Sequence, residues 1–382
     1  MALRTKHTAA PLNIFTIMSA LARKERAHNL SQGLPDYPVA PELSELLKEA
    51  VINGYNQYAP MPGLVELREQ IAGYFNRIYH SDYCNINNIT ITPGATYGIF
   101  TAFAAILEQG DEVIYLEPAF DCYLPAIEIN GGIPVCVQLE ASHNFEIDWQ
   151  KIKDAISPKT KAILINTPHN PTGNIWSKKD WDTLADLISD KNIYVISDEV
   201  YNTILFDGQQ HIPGYLQERL HGKVISIYSF GKMQHITGWK IGFCIADETI
   251  TNAFRSIHQY LTFSVNTPAQ YALARYLELP KPDNEASVFL QQKRDLLISG
   301  LAGSKLKLNC TTKGSYFQLF DYSALSSLPD VDFAQWLATT HKVATIPLSA
   351  FYKTPPGISQ IRFSFAKEDA VIKAATDILA RL

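Results

Sequence analysis

A lysine that follows a short apolar run is the residue best placed to do chemistry in this sequence. Lys232 comes four positions after the run 224–228, and a lysine at the end of a buried strand can act as a nucleophile or a general base. A P-loop would need glycine at position 226 and serine or threonine at position 233, where the chain has Ser226 and Met233. Binding of a nucleoside triphosphate is therefore excluded. Taken alone, Lys232 would be a surface lysine on a helix, so its interpretation depends on its neighbours.

Other polar residues follow two further apolar runs. Asn170 lies in the loop after the run 162–165, while Asp198 and Tyr201 follow the run 192–196. In an open α/β sheet, ligands bind outside the carboxyl ends of the strands. We therefore expect these loops to meet Lys232 at one edge of the sheet. Each residue also has a plainer explanation, since Asp198 would cap a helix and Asn170 would serve in a turn.

The elements that position these residues alternate along the chain. The runs are continuously apolar, which is typical of parallel strands covered by helices on both faces, and segments of helical spacing separate them. This pattern predicts an α/β domain over roughly residues 45–275 and a smaller α+β module over 276–382, with a proline-rich linker at 279–282. The module is predicted to contain a helix near 286–301, an alternating, half-buried strand at 314–320, a helix at 332–340, a strand around 361–365 and a terminal helix from Glu368.

Composition excludes several classes of protein. The chain has 382 residues, of which 46% are hydrophobic and 19% charged, so it can bury a large core. Its net charge of −5 argues against nucleic acid as a partner. The longest apolar stretch is too short to span a membrane, and no signal peptide is recognisable. Five cysteines without a CxxC pair predict a cytoplasmic protein with neither a disulfide framework nor a metal site.

Four motifs occur in a recognisable order: Asn170-Pro171-x-Gly173, Ser197-Asp198-Glu199-x-Tyr201, Ser229-x-x-Lys232 and Gly238-x-Lys240-x-Gly242. Their order and spacing resemble those of the fold-type I, class I aminotransferases, which depend on pyridoxal 5′-phosphate. The segments NLSQGLPD (29–36), NQYAP (56–60) and FDCY (120–123) are most similar to the kynurenine, glutamine and methionine aminotransferase branch. The resemblance implies a mostly parallel sheet flanked by helices and a smaller α+β domain, which residues 1–44 would join while covering the active site.

The resemblance also implies roles at the cofactor ring. Lys232 would form the Schiff base with pyridoxal phosphate and then move the substrate proton, and Asp198 would keep the pyridine nitrogen protonated so that the ring works as an electron sink. Asn170 and Tyr201 would hydrogen-bond the phenolate oxygen. Phe120 would stack on the ring, although an isolated phenylalanine is usually a core residue.

The phosphate group would be bound by a helix N-terminus and two side chains. Ala95 and Thr96 would offer backbone N–H groups at the start of the predicted helix, and Ser229 and Lys240 would add a hydroxyl and a cation. The broader class often has arginine in place of Lys240, which keeps the charge but not the bidentate geometry. Tyr58 would reach the phosphate of a neighbouring subunit, so the resemblance implies a homodimer with shared active sites.

The substrate carboxylate would be bound by Arg362, with the backbone N–H of Gly33 and the side chain of Asn170 beside it, since a guanidinium grips a carboxylate bidentately. Candidate residues for the side-chain pocket are Tyr260, Phe263 and Tyr352, and core packing accounts for each equally well. The loop 262–266 lacks the histidine of some kynurenine-active relatives. Methionine, glutamine, leucine and aromatic amino acids remain open as donors.

Two other functions compete with transamination. A cysteine-S-conjugate β-lyase would use the same residues, and the sequence does not separate it from a transaminase. A transcriptional sensor built on an aminotransferase-like domain would need an N-terminal DNA-binding domain, and only about 30 residues precede Gly33. The sequence therefore favours a transaminase that passes the amino group of an L-amino acid to a 2-oxo acid by a ping-pong mechanism.

Overall fold

The computed structural model describes residues 13–382, which form helices around three sheets. In chain order the helices are α1 (Ile14–Glu25), α2 (Pro41–Ile52), α3 (Val65–Ile78), α4 (Ala95–Ile106), α5 (Tyr123–Ile129), α6 (Trp149–Ala155), α7 (Lys178–Ile188), α8 (Phe230–Met233), α9 (Glu248–Leu261), α10 (Thr267–Leu277), α11 (Glu285–Gly300), α12 (Asp330–Thr340) and α13 (Asp369–Leu379).

The strands are β1 (His28–Asn29), β2 (Ile89–Thr92), β3 (Glu112–Glu117), β4 (Ile133–Gln138), β5 (Thr160–Asn166), β6 (Tyr194–Asp198), β7 (Val224–Ser229), β8 (Gly242–Ala246), β9 (Phe317–Asp321), β10 (Val343–Ala344), β11 (Ile346–Pro347) and β12 (Gln360–Ser364). Seven of them form the central sheet in the order β2-β8-β7-β6-β5-β3-β4. Only β8 runs against its neighbours, β2 and β7, and the other adjacent pairs are parallel. The predicted mostly parallel sheet is thereby confirmed.

Helices cover both faces of the central sheet because its strands are apolar on both sides. Side chains of β5 alternate between two cores, with Ile163 and Ile165 in a cluster that contains α7 and Leu164 in a cluster that contains α4. The helix α7 begins where Ser177 and Asp180 form a capping box, in which each side chain accepts a hydrogen bond from the other's backbone N–H. Local sequence and tertiary burial therefore agree at this element.

The C-terminal part has its own sheet, β11-β12-β9, in which both strand pairs are antiparallel. The N-terminal segment joins this part of the chain, since β1 pairs in parallel with β10. The domain boundaries at residues 44/45 and 275/276 stay a prediction.

The predicted helices of the C-terminal part appear within two residues of their expected bounds as α11, α12 and α13. The prediction of an alternating, half-buried strand at 314–320 was wrong. The strand β9 starts at Phe317, and its first four residues are all buried. Leu319 belongs to one hydrophobic cluster, and Phe317 and Phe320 belong to another, so neither face of the strand is left to water. Among residues 13–382, no helix combines the length and apolarity needed to cross a bilayer.

Gly242 lies where β8 passes closest to the start of α4. A Cβ at this position would lie 2.6 Å from the Tyr228 carbonyl oxygen and 3.1 Å from the Ala95 nitrogen. Because backbone atoms cannot move aside cheaply, we expect Gly242→Ala to reduce the free energy of unfolding by about 1–3 kcal/mol, as overpacking does. Gly238→Ala is the matched control, since nothing lies within 4 Å of its added methyl group. Equal urea denaturation midpoints for the two variants would contradict this packing argument.

Candidate active site

A cavity of about 220 Å³ lies at the carboxyl ends of the central strands. Nine of the predicted site residues line it: Ala95, Thr96, Phe120, Asn170, Asp198, Tyr201, Ser229, Lys232 and Lys240. Strand register brings them together, because Asn166 at the end of β5 pairs with Asp198 at the end of β6. Lys232 lies on the short helix α8, which begins directly after β7. Residues that are distant in sequence thus meet at one edge of the sheet.

Asp198 is the acidic residue of this cavity and is only 4% exposed. Its Oδ2 accepts a hydrogen bond of 2.6 Å from the Tyr123 hydroxyl, and its Oδ1 accepts one of 3.3 Å from the Val200 N–H. Burial raises the pKa of the Asp198 carboxyl to about 6, since water no longer solvates the charge, while these donors and the nearby Lys232 act in the opposite direction. The carboxylate is therefore poised to pair with a buried cation.

Lys232 is connected to the C-terminal part of the protein through Tyr316. Its Nζ donates to the Tyr316 hydroxyl at 2.9 Å, and that hydroxyl donates to the Gly33 carbonyl oxygen at 2.7 Å. A Cβ on Gly33 would lie 2.6 Å from the Phe317 ring, so only glycine allows this close approach. The predicted residue Gly33 therefore lies one hydrogen bond away from the partner of the lysine amine.

One end of the cavity is suited to an anion. The helix α4 begins there, and the first-turn N–H groups of a helix have no acceptor within the helix. A Cβ on Gly94 would lie 3.2 Å from Lys240 Nζ, which places the ammonium group against the start of this helix. Ser229 lines the same cavity. A helix N-terminus, a cation and a hydroxyl together fit a phosphate group.

Arg362 lies on β12 beside the cavity and is 1% exposed. Its Nη1 donates to Asn170 Oδ1 at 2.6 Å and its Nη2 to the Ser31 carbonyl oxygen at 3.1 Å. Its Nε is buried and has no hydrogen-bond partner among the described residues. Burial lowers the pKa of the guanidinium to about 10, which leaves it protonated at neutral pH. An unpaired N–H on a buried cation indicates a site for an anionic ligand.

Aromatic rings surround the same guanidinium. The Arg362 Cζ lies 3.7 Å from the centroid of Phe317, 4.8 Å from that of Phe351 and 5.4 Å from that of Phe15. The last two rings meet edge to face at 5.6 Å. Because Phe15 belongs to α1, this part of the N-terminal segment forms part of the wall. That residues 1–44 as a whole cover the active site stays a prediction.

Several predicted residues do not line the cavity. Tyr58 is 83% exposed, and its ring packs edge to face on Phe263 at 5.5 Å. Tyr260 is 86% exposed, whereas Tyr352 is partly buried against the core that contains Phe351. Within one copy of the described chain, these residues do not form a common pocket with Lys232.

Four residues at the site were missed in the sequence: Tyr123, Asn166, Tyr316 and Phe15. Asn166 connects two loops, since its Nδ2 donates to the Asp198 carbonyl oxygen at 2.8 Å and its Oδ1 accepts from the Asn170 N–H at 2.8 Å. Its position at the end of an apolar run was a usable signal. Tyr316 and Phe15 carry no local signal, because only the tertiary fold brings them to Lys232 and Arg362.

A larger, open cleft of about 930 Å³ lies elsewhere, between α7 and the start of α11. Tyr79, Asn202 and His211 are among its lining residues, and none of the predicted site residues is. Its lysine, Lys178, forms an ion pair with Asp182. The smaller cavity, with its buried carboxylate and the amine of Lys232, therefore remains the candidate active site.

The seven-stranded sheet and the cavity at its carboxyl edge define a fold-type I transferase. The chain belongs to the family described as aminotransferase class I and II, whose model matches residues 26–379, and it is a transaminase. It is 44% identical over 371 residues to a methionine aminotransferase of Escherichia coli (strain K12), and the aligned region covers 97% of this chain and 95% of that protein. It is 33% identical over 416 residues to a kynurenine–oxoglutarate transaminase of Dictyostelium discoideum, covering 97% and 94%.

A solved structure supports the same classification. The crystal structure of an Escherichia coli protein identified as having a methionine aminotransferase function matches with a TM-score of 0.96 and 43% identity, and the match covers 100% of both chains. The fold and the transaminase class predicted from the sequence are thus confirmed.

The raised pKa of Asp198 has a measurable effect on stability. The folded, cofactor-free protein binds the Asp198 proton more tightly than the unfolded chain does. The resulting contribution to the free energy of unfolding is therefore complete below about pH 4 and is lost as the pH rises through about 6. Asp198→Asn removes the titration. We therefore compare the free energies of unfolding of this variant and of the unsubstituted protein. The value for the variant minus that for the unsubstituted protein should increase by about 2–3 kcal/mol from pH 4 to pH 7.

Urea denaturation of the cofactor-free proteins at several pH values measures this difference. Asp82→Asn, at an exposed position, is the control and should show no such increase. Parallel stability curves for Asp198→Asn and the unsubstituted protein would contradict the assignment of a raised pKa to this carboxyl.

Proposed function

We propose that this transaminase uses pyridoxal 5′-phosphate and transfers the amino group of a methionine-type, glutamine-type or aromatic L-amino acid to a 2-oxo acid by a ping-pong mechanism. The observation that carries the proposal is the sharing of one cavity by Lys232 and the buried Asp198, with an anion site at one end and Arg362 nearby. When bound, the cofactor supplies a protonated pyridine ring that accepts the electron pair released as the substrate Cα–H bond breaks.

The residues around the cavity match the parts of that cofactor. The start of α4, with Ala95 and Thr96, would bind the phosphate together with Ser229 and Lys240. Asp198 would pair with the ring nitrogen at the opposite end. Phe120, at the cavity wall, would stack on the ring face.

Tyr201 and Asn170 would hydrogen-bond the phenolate oxygen of the ring. Burial raises the pKa of the Tyr201 hydroxyl well above its ordinary value, so it remains a protonated donor at neutral pH. The Asn170 amide oxygen already accepts from Arg362, which leaves its amide nitrogen free to donate in the other direction. These two residues would stabilise negative charge on the oxygen without adding a titrating group.

Lys232 would take the proton from the substrate Cα and deliver it to the C4′ atom of the cofactor. An amine surrounded by Tyr316 and Tyr201 is partly shielded from water, with Nζ 5.5 and 5.9 Å from the two ring centroids. The hydrogen bond from Lys232 to Tyr316 would hold the amine in place between proton transfers.

Arg362 would bind the α-carboxylate of both amino acid and oxo acid. Its unpaired Nε gives the carboxylate a donor, and the Gly33 N–H would add a second. The walls formed by Phe15, Phe317 and Phe351 suit apolar or aromatic substrates better than dicarboxylic ones, since they offer no second cation. The names of the two curated relatives, which refer to methionine and kynurenine, support the same range of substrates.

We expect Lys232→Ala to abolish transamination while leaving the fold intact, because the remaining residues bind substrate but offer no amine at this point. Activity is measured with methionine and a 2-oxo acid, and near-UV circular dichroism reports on the fold. Lys159→Ala, at an exposed position, should keep full activity. Turnover by Lys232→Ala at the level of the control would refute the catalytic assignment.

The same assay separates the β-lyase alternative. A β-substituted cysteine that releases pyruvate in the absence of any amino acceptor would establish lyase activity at this site. Formation of the S-substituted 2-oxo acid only when an acceptor oxo acid is present, with no release of pyruvate, would support transamination alone.

We propose further that two copies of the chain form a homodimer. Tyr58 and Phe263, whose rings are in contact, are both exposed, and so are the large apolar side chains of Ile52, Tyr260 and Leu261. Exposed aromatic surface of this kind marks a protein interface. In such a dimer Tyr58 would reach the partner's phosphate site. The five cysteines, all of them free, favour a cytoplasmic location.

Mixed dimers test the shared site. If Tyr58 acts across the interface, a dimer of Tyr58→Ala and Lys232→Ala chains contains one site with both native residues. An equimolar mixture, unfolded and refolded together, should then recover about a quarter of the native activity, because half of random dimers are mixed and each has one intact site. Activity no greater than the mean of the two separate variants would show that Tyr58 does not complete the partner's site.

A further inference from the structure

Tyr123 contacts the buried carboxylate of the site and has no role so far in the proposed function. Its hydroxyl lies 2.6 Å from Asp198 Oδ2, and the residue is 2% exposed. The other donor to this carboxylate, the Val200 N–H, is more distant at 3.3 Å from Oδ1. Tyr123 is therefore the closest donor to Asp198 among the described residues.

The local fold fixes this tyrosine in place. Tyr123 is the first residue of α5, and its N–H donates to the Phe120 carbonyl oxygen at 3.1 Å. The two rings also meet edge to face, with centroids 5.9 Å apart. One turn of the chain thus presents both the residue that would stack on the cofactor ring and the hydroxyl that contacts Asp198.

The hydroxyl keeps its proton. It is buried beside a carboxylate, and both conditions raise the pKa of Tyr123 well above its ordinary value. The hydrogen bond therefore always runs from Tyr123 to Asp198. A hydrogen bond to the charged form of a carboxylate lowers its pKa, which opposes the effect of burial on Asp198.

The balance between burial and this hydrogen bond decides whether the Asp198 carboxyl or a pyridine nitrogen facing it would hold the proton. A pyridine nitrogen facing Asp198 can keep its proton and leave the carboxylate ionised, or it can pass the proton to the carboxylate and become neutral. A hydrogen-bond donor to the carboxylate stabilises its negative charge and so favours the first arrangement. Only the protonated ring is a strong electron sink.

We propose that Tyr123 is a positioning residue that acts through Asp198, orienting this carboxylate and keeping it ionised so that the ring nitrogen of pyridoxal phosphate retains its proton. The inference rests on the proposed function, since it requires Asp198 to face the cofactor ring. It assigns to the start of α5 an influence on catalysis without contact between the Tyr123 hydroxyl and the substrate.

The test uses Tyr123→Phe and a matched control, Tyr115→Phe. Tyr115 is also buried, and its hydroxyl donates to a carboxylate, Glu117 Oε1, at 2.8 Å, but it does not line the cavity. Each protein is loaded with pyridoxal phosphate labelled with ¹⁵N in the ring, and the nitrogen chemical shift is recorded. We expect a protonated ring in the unsubstituted protein and in Tyr115→Phe, and a shift toward the unprotonated value in Tyr123→Phe. The value of kcat should fall about tenfold in Tyr123→Phe, the effect of about one pKa unit, with little change in KM.

A second substitution keeps the test decisive if Tyr123→Phe folds poorly. A fluorinated tyrosine at position 123 has a more acidic hydroxyl and donates more strongly, so it should move the nitrogen further toward the protonated form. Identical ring nitrogen chemical shifts and identical kcat values across all of these proteins would overturn the inference. If the unsubstituted protein binds no pyridoxal phosphate, the proposed function fails first, and the two failures are thereby distinguished.

Discussion

A carboxylate held almost out of reach of water, that of Asp198, is the constraint on which the rest of the site depends. Burying an ionised group is costly unless hydrogen bonds and a cation compensate. The protein supplies a phenolic donor, a backbone donor and the nearby Lys232, and it leaves the carboxylate with capacity to bind a further cation. The central sheet makes this arrangement possible, because three adjacent parallel strands, β5, β6 and β7, end at one edge and are packed on both faces.

The end of the site at Arg362, where we propose that substrate binds, depends on a different part of the chain. Arg362 comes from β12, and Ser31 and Phe15 come from the N-terminal segment. Tyr316, just before β9, joins Lys232 to Gly33. In the proposed function, recognition of the α-carboxylate would therefore require the N-terminal segment and the C-terminal sheet to be docked on the central sheet. We infer that disturbances in α1 affect substrate binding more than cofactor binding.

Much of this could be predicted from the sequence, because the residues that would hold the cofactor follow strands that are short, continuous and apolar. The order of the motifs was enough to predict that Lys232, Asp198 and Asn170 line one cavity. Tyr316 and Phe15 could not be found in this way, since Tyr316 lies 84 residues from Lys232 and Phe15 comes from the opposite end of the chain to Arg362. The strand β9 was misread as half-buried because alternating polarity is typical of a strand with one face in water, whereas here the polar Gln318 is itself buried and donates to the Cys310 carbonyl oxygen.

We propose that this site performs the first half of a transamination with pyridoxal phosphate. The visible absorption spectrum of the purified, cofactor-loaded protein, recorded before and after methionine is added without any oxo acid, reports on this half reaction. The band of the lysine-bound cofactor should be replaced by that of the aminated form, in an amount equal to the number of sites. A spectrum that does not change with methionine, glutamine or phenylalanine would contradict the proposed substrate range. The absence of any cofactor band after pyridoxal phosphate is added would contradict the assignment of Lys232 itself.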